Sequence, residues 1–125
     1  MKCLRVYLDE LGESHFSEME IAMSELQALP DLTVKRSDPA AATSILFQTV
    51  AGRSSTDWHP APARQFVISL DRTLEIETSD GERRQLLPSR VLLVEDTWGK
   101  GHKTRSFDDH PGTLVFVPLA TPTAR

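Results

Sequence analysis

The chain has 125 residues, 39% of them hydrophobic and 26% charged, which suits one globular core and leaves too little chain for two. A formal net charge of −4, with scattered arginines and only Arg83–Arg84 adjacent, argues against a nucleic-acid partner, since phosphate binding needs a clustered basic surface. No apolar run approaches the roughly 20 residues of a membrane span, and a lone cysteine excludes a disulfide framework and a thiolate zinc site. The expectation is a single domain over residues 1–125 in a reduced, cytoplasmic setting, with Cys3 a small buried or edge hydrophobe.

In chain order, Leu4 to Leu8 alternates like a half-buried strand, and the polar stretch Asp9 to Ser14 with Gly12 reads as a turn. Residues 17–29 are ambiguous. Ser17 and Glu20 have capping-box spacing, and Met19, Met23 and Leu26 fit one helical face. Met19, Ile21 and Met23 also alternate with polar or small neighbours, as on a strand. We favour an extended segment over Glu18 to Met23, with any helix confined to Ser24 to Leu29. Pro30, Asp38 and Pro39 punctuate a loop.

Thr43 to Val50 is read as a strand, followed by a polar loop over residues 52–57. Arg64 to Leu70 and Leu74 to Thr78 are strands, and Asp80-Gly81 turns the chain back into Arg84 to Leu87. Val91 to Val94 is continuously apolar, as expected of a strand covered on both faces. Lys103 to Phe107 reads as extended, and Thr113 to Pro118 as the closing strand. The tail after Leu119 is polar and reads as loose. About eight short strands with no long helix suggest a sandwich or barrel.

Two stretches carry chemistry. Counting by twos from His59 reaches Ala61, Ala63 and Gln65, so His59 and Gln65 share a face on a regular strand. Pro60 and Pro62 donate no backbone hydrogen bond, which places this stretch at an edge or a barrel mouth. His102 follows Gly99-Lys100-Gly101, a turn that permits close backbone approach. In an antiparallel barrel both histidines can return to one mouth. One of Glu95 and Asp96, which follow a buried run, is a candidate acid or base there, against the plainer reading of a salt bridge. Lys100 is a candidate for an anionic ligand, and Trp58 and Trp98 for an aromatic rim. His15 and His110 read as surface residues in turns.

These residues resemble the motifs of a small single-domain cupin, a jelly-roll β-barrel family. Its first motif carries His-x-His and a later acidic residue; here His59 matches the first histidine, Ala61 stands at the second, and Gln65 stands where the glutamate is expected. Gly99-Lys100-Gly101-His102 matches the Gly-x-x-His end of the second motif, with Thr97 replacing its proline and Ser89 near the place of its opening glycine. The resemblance covers residues 44–118 well and the N-terminal third loosely. It implies an all-β, cupin-like jelly-roll barrel that pairs as a homodimer.

Cupins hold Fe, Mn, Ni, Zn or Cu on three histidines and a glutamate. This chain keeps two imidazoles and a neutral amide, so the resemblance implies at most a weakly bound divalent transition metal on His59, Gln65 and His102. The leading expectation is a barrel pocket that binds a small organic ligand through His59, Gln65, Glu95 and His102, with metal optional. A metal-dependent oxygenase or isomerase is one alternative, and a non-catalytic scaffold or regulatory subunit is another.

Overall fold

A computed structural model of the chain describes residues 1–120. Those residues form eleven strands: β1 (Lys2–Leu8), β2 (Ser14–Glu20), β3 (Met23–Leu29), β4 (Leu32–Ser37), β5 (Leu46–Val50), β6 (Gln65–Ser69), β7 (Leu74–Thr78), β8 (Arg83–Leu86), β9 (Val91–Val94), β10 (His102–Ser106) and β11 (Gly112–Pro118). The strands expected at residues 4–8, 43–50, 64–70, 74–78, 84–87, 91–94, 103–107 and 113–118 are all present within a few residues of those bounds. Apart from Ala120, the expectation of a loose tail falls on residues 121–125, outside the described residues.

Three readings are corrected. Residues 24–29 form strand β3, not a helix, and residues 32–37 form β4 rather than loop. The two strands pair antiparallel from Met23↔Ser37 to Leu29↔Leu32 around Pro30-Asp31. Pro30 forbids helical continuation, and the β-branched Thr33 and Val34 supply a partner strand that a local reading cannot see. His15 lies on β2 rather than in a turn.

Six strands form a mixed sheet in the order β2-β1-β9-β6-β11-β5, and three form a second sheet, β10-β7-β8. β1 and β9 are parallel, and the other neighbours are antiparallel. Alternation turns Val6, Val67, Leu92, Val94 and Leu114 of the large sheet onto Leu74, Ile76 and Leu86 of the small one, and this interface is the main core. The outer face of the large sheet holds a smaller cluster around Cys3, Leu93 and Leu119. β9 serves both faces, with Leu92 and Val94 inward and Leu93 outward, which explains its unbroken apolar run.

The sheets do not close into one hydrogen-bonded barrel. Along β10 they are joined by residues 55–59, which bridge Ser55↔Arg105 and His59↔His102 before the chain enters β6 of the large sheet. β8, the other edge of the small sheet, has no strand neighbour beyond β7. The sandwich is thus zipped along one side and open along the other.

A pair of histidines at the zipped edge

The zipper places the two candidate histidines opposite each other. His59 N–H donates to His102 O at 3.1 Å, and His102 N–H donates to His59 O at 3.0 Å. Such a mutually bonded antiparallel pair directs both side chains to the same face. The imidazole centroids lie 4.7 Å apart, with the rings tilted by 52°. His102 is buried and His59 half-buried.

Glycine is required at this crossing. Gly101 has φ +75°, and a Cβ there would sit 2.2 Å from the carbonyl carbon of His59 and 2.3 Å from its oxygen. The Ser14 hydroxyl, fully buried, donates to Gly101 O at 2.6 Å and fixes the loop from the β2 side. The Gly-x-Gly-His pattern therefore lets the two histidine-bearing segments touch. Ser89, near the expected motif glycine, itself adopts a left-handed φ of 69°.

Each ring is held by one nitrogen. His59 Nδ1 lies 2.8 Å from Asp57 O. A carbonyl can only accept, so Nδ1 carries a proton, and in the neutral ring Nε2 is the nitrogen with the lone pair. His102 Nδ1 donates to Asp96 Oδ2 at 2.5 Å, and Asp96 is fully buried. A carboxylate oxygen that accepts from Nδ1 selects the same tautomer of the neutral ring. In their neutral forms both imidazoles thus present Nε2 as the acceptor.

Asp96 faces inward because it continues the alternation of β9, two residues beyond the buried Val94, and its carbonyl accepts from Ala61 N at 2.9 Å. Its second carboxylate oxygen, Oδ1, is buried with no hydrogen-bond partner. Ala61 itself is part of the core.

The remaining candidates divide. Gln65 is buried and inward-facing on β6, opposite Val94 and so one diagonal step from Asp96. Glu95 is not brought to the histidines. It takes the opposite face, where Arg64 Nε binds it at 2.6 Å and Arg5 Nε binds its other oxygen. Burial pushes the Glu95 carboxyl up, but the Arg64 and Arg5 guanidiniums outweigh it and hold the group below the usual carboxylate range. It borders a shallow cavity of about 270 Å³ with Arg5, Met19, Arg64 and Leu93. Lys100 is engaged by Glu13 at 2.7 Å. Trp58 and Trp98 are exposed on the two segments that deliver His59 and His102, and Lys103 lies over the Trp58 ring at 5.0 Å.

The sequence offers Glu95 and Asp96 side by side, and Asp96, not the expected Glu95, is the carboxylate at the histidines. Strand parity, counted from the end of β9, separates the two: Leu92, Val94 and Asp96 share the inner face, Leu93 and Glu95 the outer.

A resident metal is not favoured by the donor set. Among the described residues no three His, Cys, Asp or Glu side chains converge to hold an ion. Asp96 is spent on His102 Nδ1, behind the ring, where carboxylates orient a histidine rather than add a ligand.

No protein-family model matches the chain, and no curated protein matches it in sequence. Solved structures do match. A Cupin 2 conserved barrel domain protein from Salinispora arenicola aligns at TM-score 0.52 and 18% identity, over 79% of this chain and 75% of that one. The chain has a cupin fold. A cupin domain from Bordetella pertussis aligns at TM-score 0.47 and 15% identity over 82% of this chain and 98% of its own. A sugar phosphate isomerase of the cupin superfamily from Silicibacter pomeroyi aligns at TM-score 0.48 and 16% identity; this chain covers 62% of itself and 50% of that protein. At these identities the likeness of the cupin sandwich is one of fold alone.

Proposed function

We propose that the cupin domain binds a small, hydroxylated organic ligand at the His59–His102 pair. One observation carries the reading: both imidazoles have Nδ1 committed, to Asp57 O and Asp96 Oδ2, and so both offer Nε2 as acceptors from one face. Two neutral acceptors this close suit a molecule bearing two O–H or N–H donors. Gln65, one step away on the inner face, adds an amide that reads the ligand's orientation, while Trp58 and Trp98 supply an apolar rim. A divalent ion held by the two imidazoles, with or without Gln65, is weak and exchangeable in this reading and is not needed for binding.

The proposal extends to setting and assembly. Cys3 is buried, and burial pushes its thiol up, so it persists as an inert hydrophobe in a reduced cytoplasm. The β3–β4 hairpin exposes Met23, Leu29 and Leu32, and the edge strand β5 exposes Leu46 and Phe47 beside Ile45. A lone hairpin and a bare apolar edge are each marginal in water, and a two-fold dimer covers both.

The test is a thermal-shift and calorimetric screen of small diols, hydroxy acids and their deoxy analogues against the wild type and the His59→Phe and His102→Phe variants. The reading requires hydroxylated binders that lose at least ten-fold in affinity when either ring is replaced. Binders indifferent to both replacements would remove it.

A further inference from the structure

A separate cleft of about 690 Å³ opens on the unzipped side, between the free edge of β8 and the first residues of β1 and β9. Its volume falls within the range of small-molecule sites, roughly 300–1,000 Å³. None of His59, Gln65, Glu95 or His102 lines it.

Its charge is opposite to that of the protein. Lys2, Arg83, Arg84 and Arg90 line it against only two carboxylates, Glu18 and Glu75, although the chain carries a net charge of −4. The carboxylates are countered locally. Glu18 lies 3.7 Å from Arg84, and Glu75 lies 3.6 Å from Arg105. Arg83 reaches Glu77 at 3.4 Å, and Arg84 also binds Glu82 at 2.5 Å. Lys2 and Arg90 form no ion pair among the described residues, so two cations in one concave site remain uncommitted. The floor beneath them is apolar: Leu4 and Leu86 belong to the core or pack against it, and Leu87 is exposed at the rim.

We propose that this cleft is a second binding site, specific for a small amphipathic organic anion. The oxyanion group lies between Lys2 and Arg90, and the hydrocarbon body rests on Leu4 and Leu87. A cation pair alone would attract any anion weakly through water, and an apolar floor alone would hold any alkyl chain. Together they favour the molecule that carries both. The chemistry is shared by carboxylates and phosphate monoesters.

Isothermal titration of the full chain with hexanoate, hexyl phosphate, inorganic phosphate and hexanol tests this. At least one of the two amphipathic anions should bind ten-fold or more tightly than both inorganic phosphate and hexanol, and their ranking identifies the head group. Arg90→Gln and Lys2→Gln should each weaken that binding five-fold or more, with folding checked by circular dichroism; the two variants substitute for each other should one fail to fold. His59→Phe should change it less than two-fold, which separates this site from the histidine pair. Equal binding of hexanol and hexanoate with no response to hexyl phosphate would overturn the proposal. So would amphipathic-anion binding untouched by both substitutions, or abolished by His59→Phe.

Discussion

At the scale of single residues, adjacent Glu95 and Asp96 show how one step along a strand changes a carboxylate's chemistry. Glu95 faces outward between two arginines with part of its side chain in solvent, where ion pairs contribute little, about 0–1 kcal/mol. Asp96 is fully buried and holds His102 by a charge-assisted bond. Removing it leaves a buried Nδ1–H without an acceptor, at a cost of about 2–3 kcal/mol. Denaturant titration should therefore rank Asp96→Ala well below Glu95→Ala in stability, and Asp96→Ala should also weaken ligand binding at the histidines. Equal losses would contradict the assignment of faces. His59 and His102 were legible from their turns and from the motif resemblance, and the inner carboxylate was legible in principle from parity. The Asp57 carbonyl that fixes the His59 tautomer was not, because nothing in composition reports a backbone oxygen's direction.

At the scale of elements, His15 joins three pieces of structure. From β2 its Nε2 binds Asp9 at 2.8 Å in the β1–β2 turn, and its Nδ1 binds Asp80 at 2.9 Å in the β7–β8 turn. The Asp9 hydrogen bond raises the His15 pKa above 6.5, burial opposes this, and Asp80 reinforces it. A group raised on folding stabilises fully below its unfolded pKa and loses that contribution as pH rises through the folded value. The melting temperature should fall as pH climbs from 6.5 through that raised value, and His15→Gln should flatten the fall. Asp9 and Asp80, both lowered, add stability that disappears on acidification below their ordinary 3.8. An unchanged slope in His15→Gln would place the pH dependence elsewhere. The strands of the two packed sheets were readable because burial imposes alternation or a continuous apolar run. β3 and β4 were not: they pack against little beyond each other, so no buried face writes a period into Met23–Leu29 or Leu32–Ser37.

At the scale of the whole molecule, that unburied hairpin and the bare β5 edge make assembly a physical expectation. Sedimentation at micromolar concentration should give a species of twice the 14.0 kDa chain. Phe47→Lys, which charges the 70% exposed ring position on the edge strand, should return it to the monomer without unfolding it. A wild type that sediments only as monomer would remove the dimer. The histidine pair lies at the zipper along β10 and not on β5, so ligand binding there should survive Phe47→Lys.

The central claim is that His59 and His102 present their Nε2 atoms to one ligand. Histidine-selective 15N NMR tests it most directly, read on the wild type before and after addition of the hydroxylated binders found by screening. The account predicts that both rings carry the proton on Nδ1 in the free protein, and that a bound hydroxylated compound moves both Nε2 resonances together. A free protein with either ring protonated on Nε2, or a binder that moves neither resonance, would contradict it.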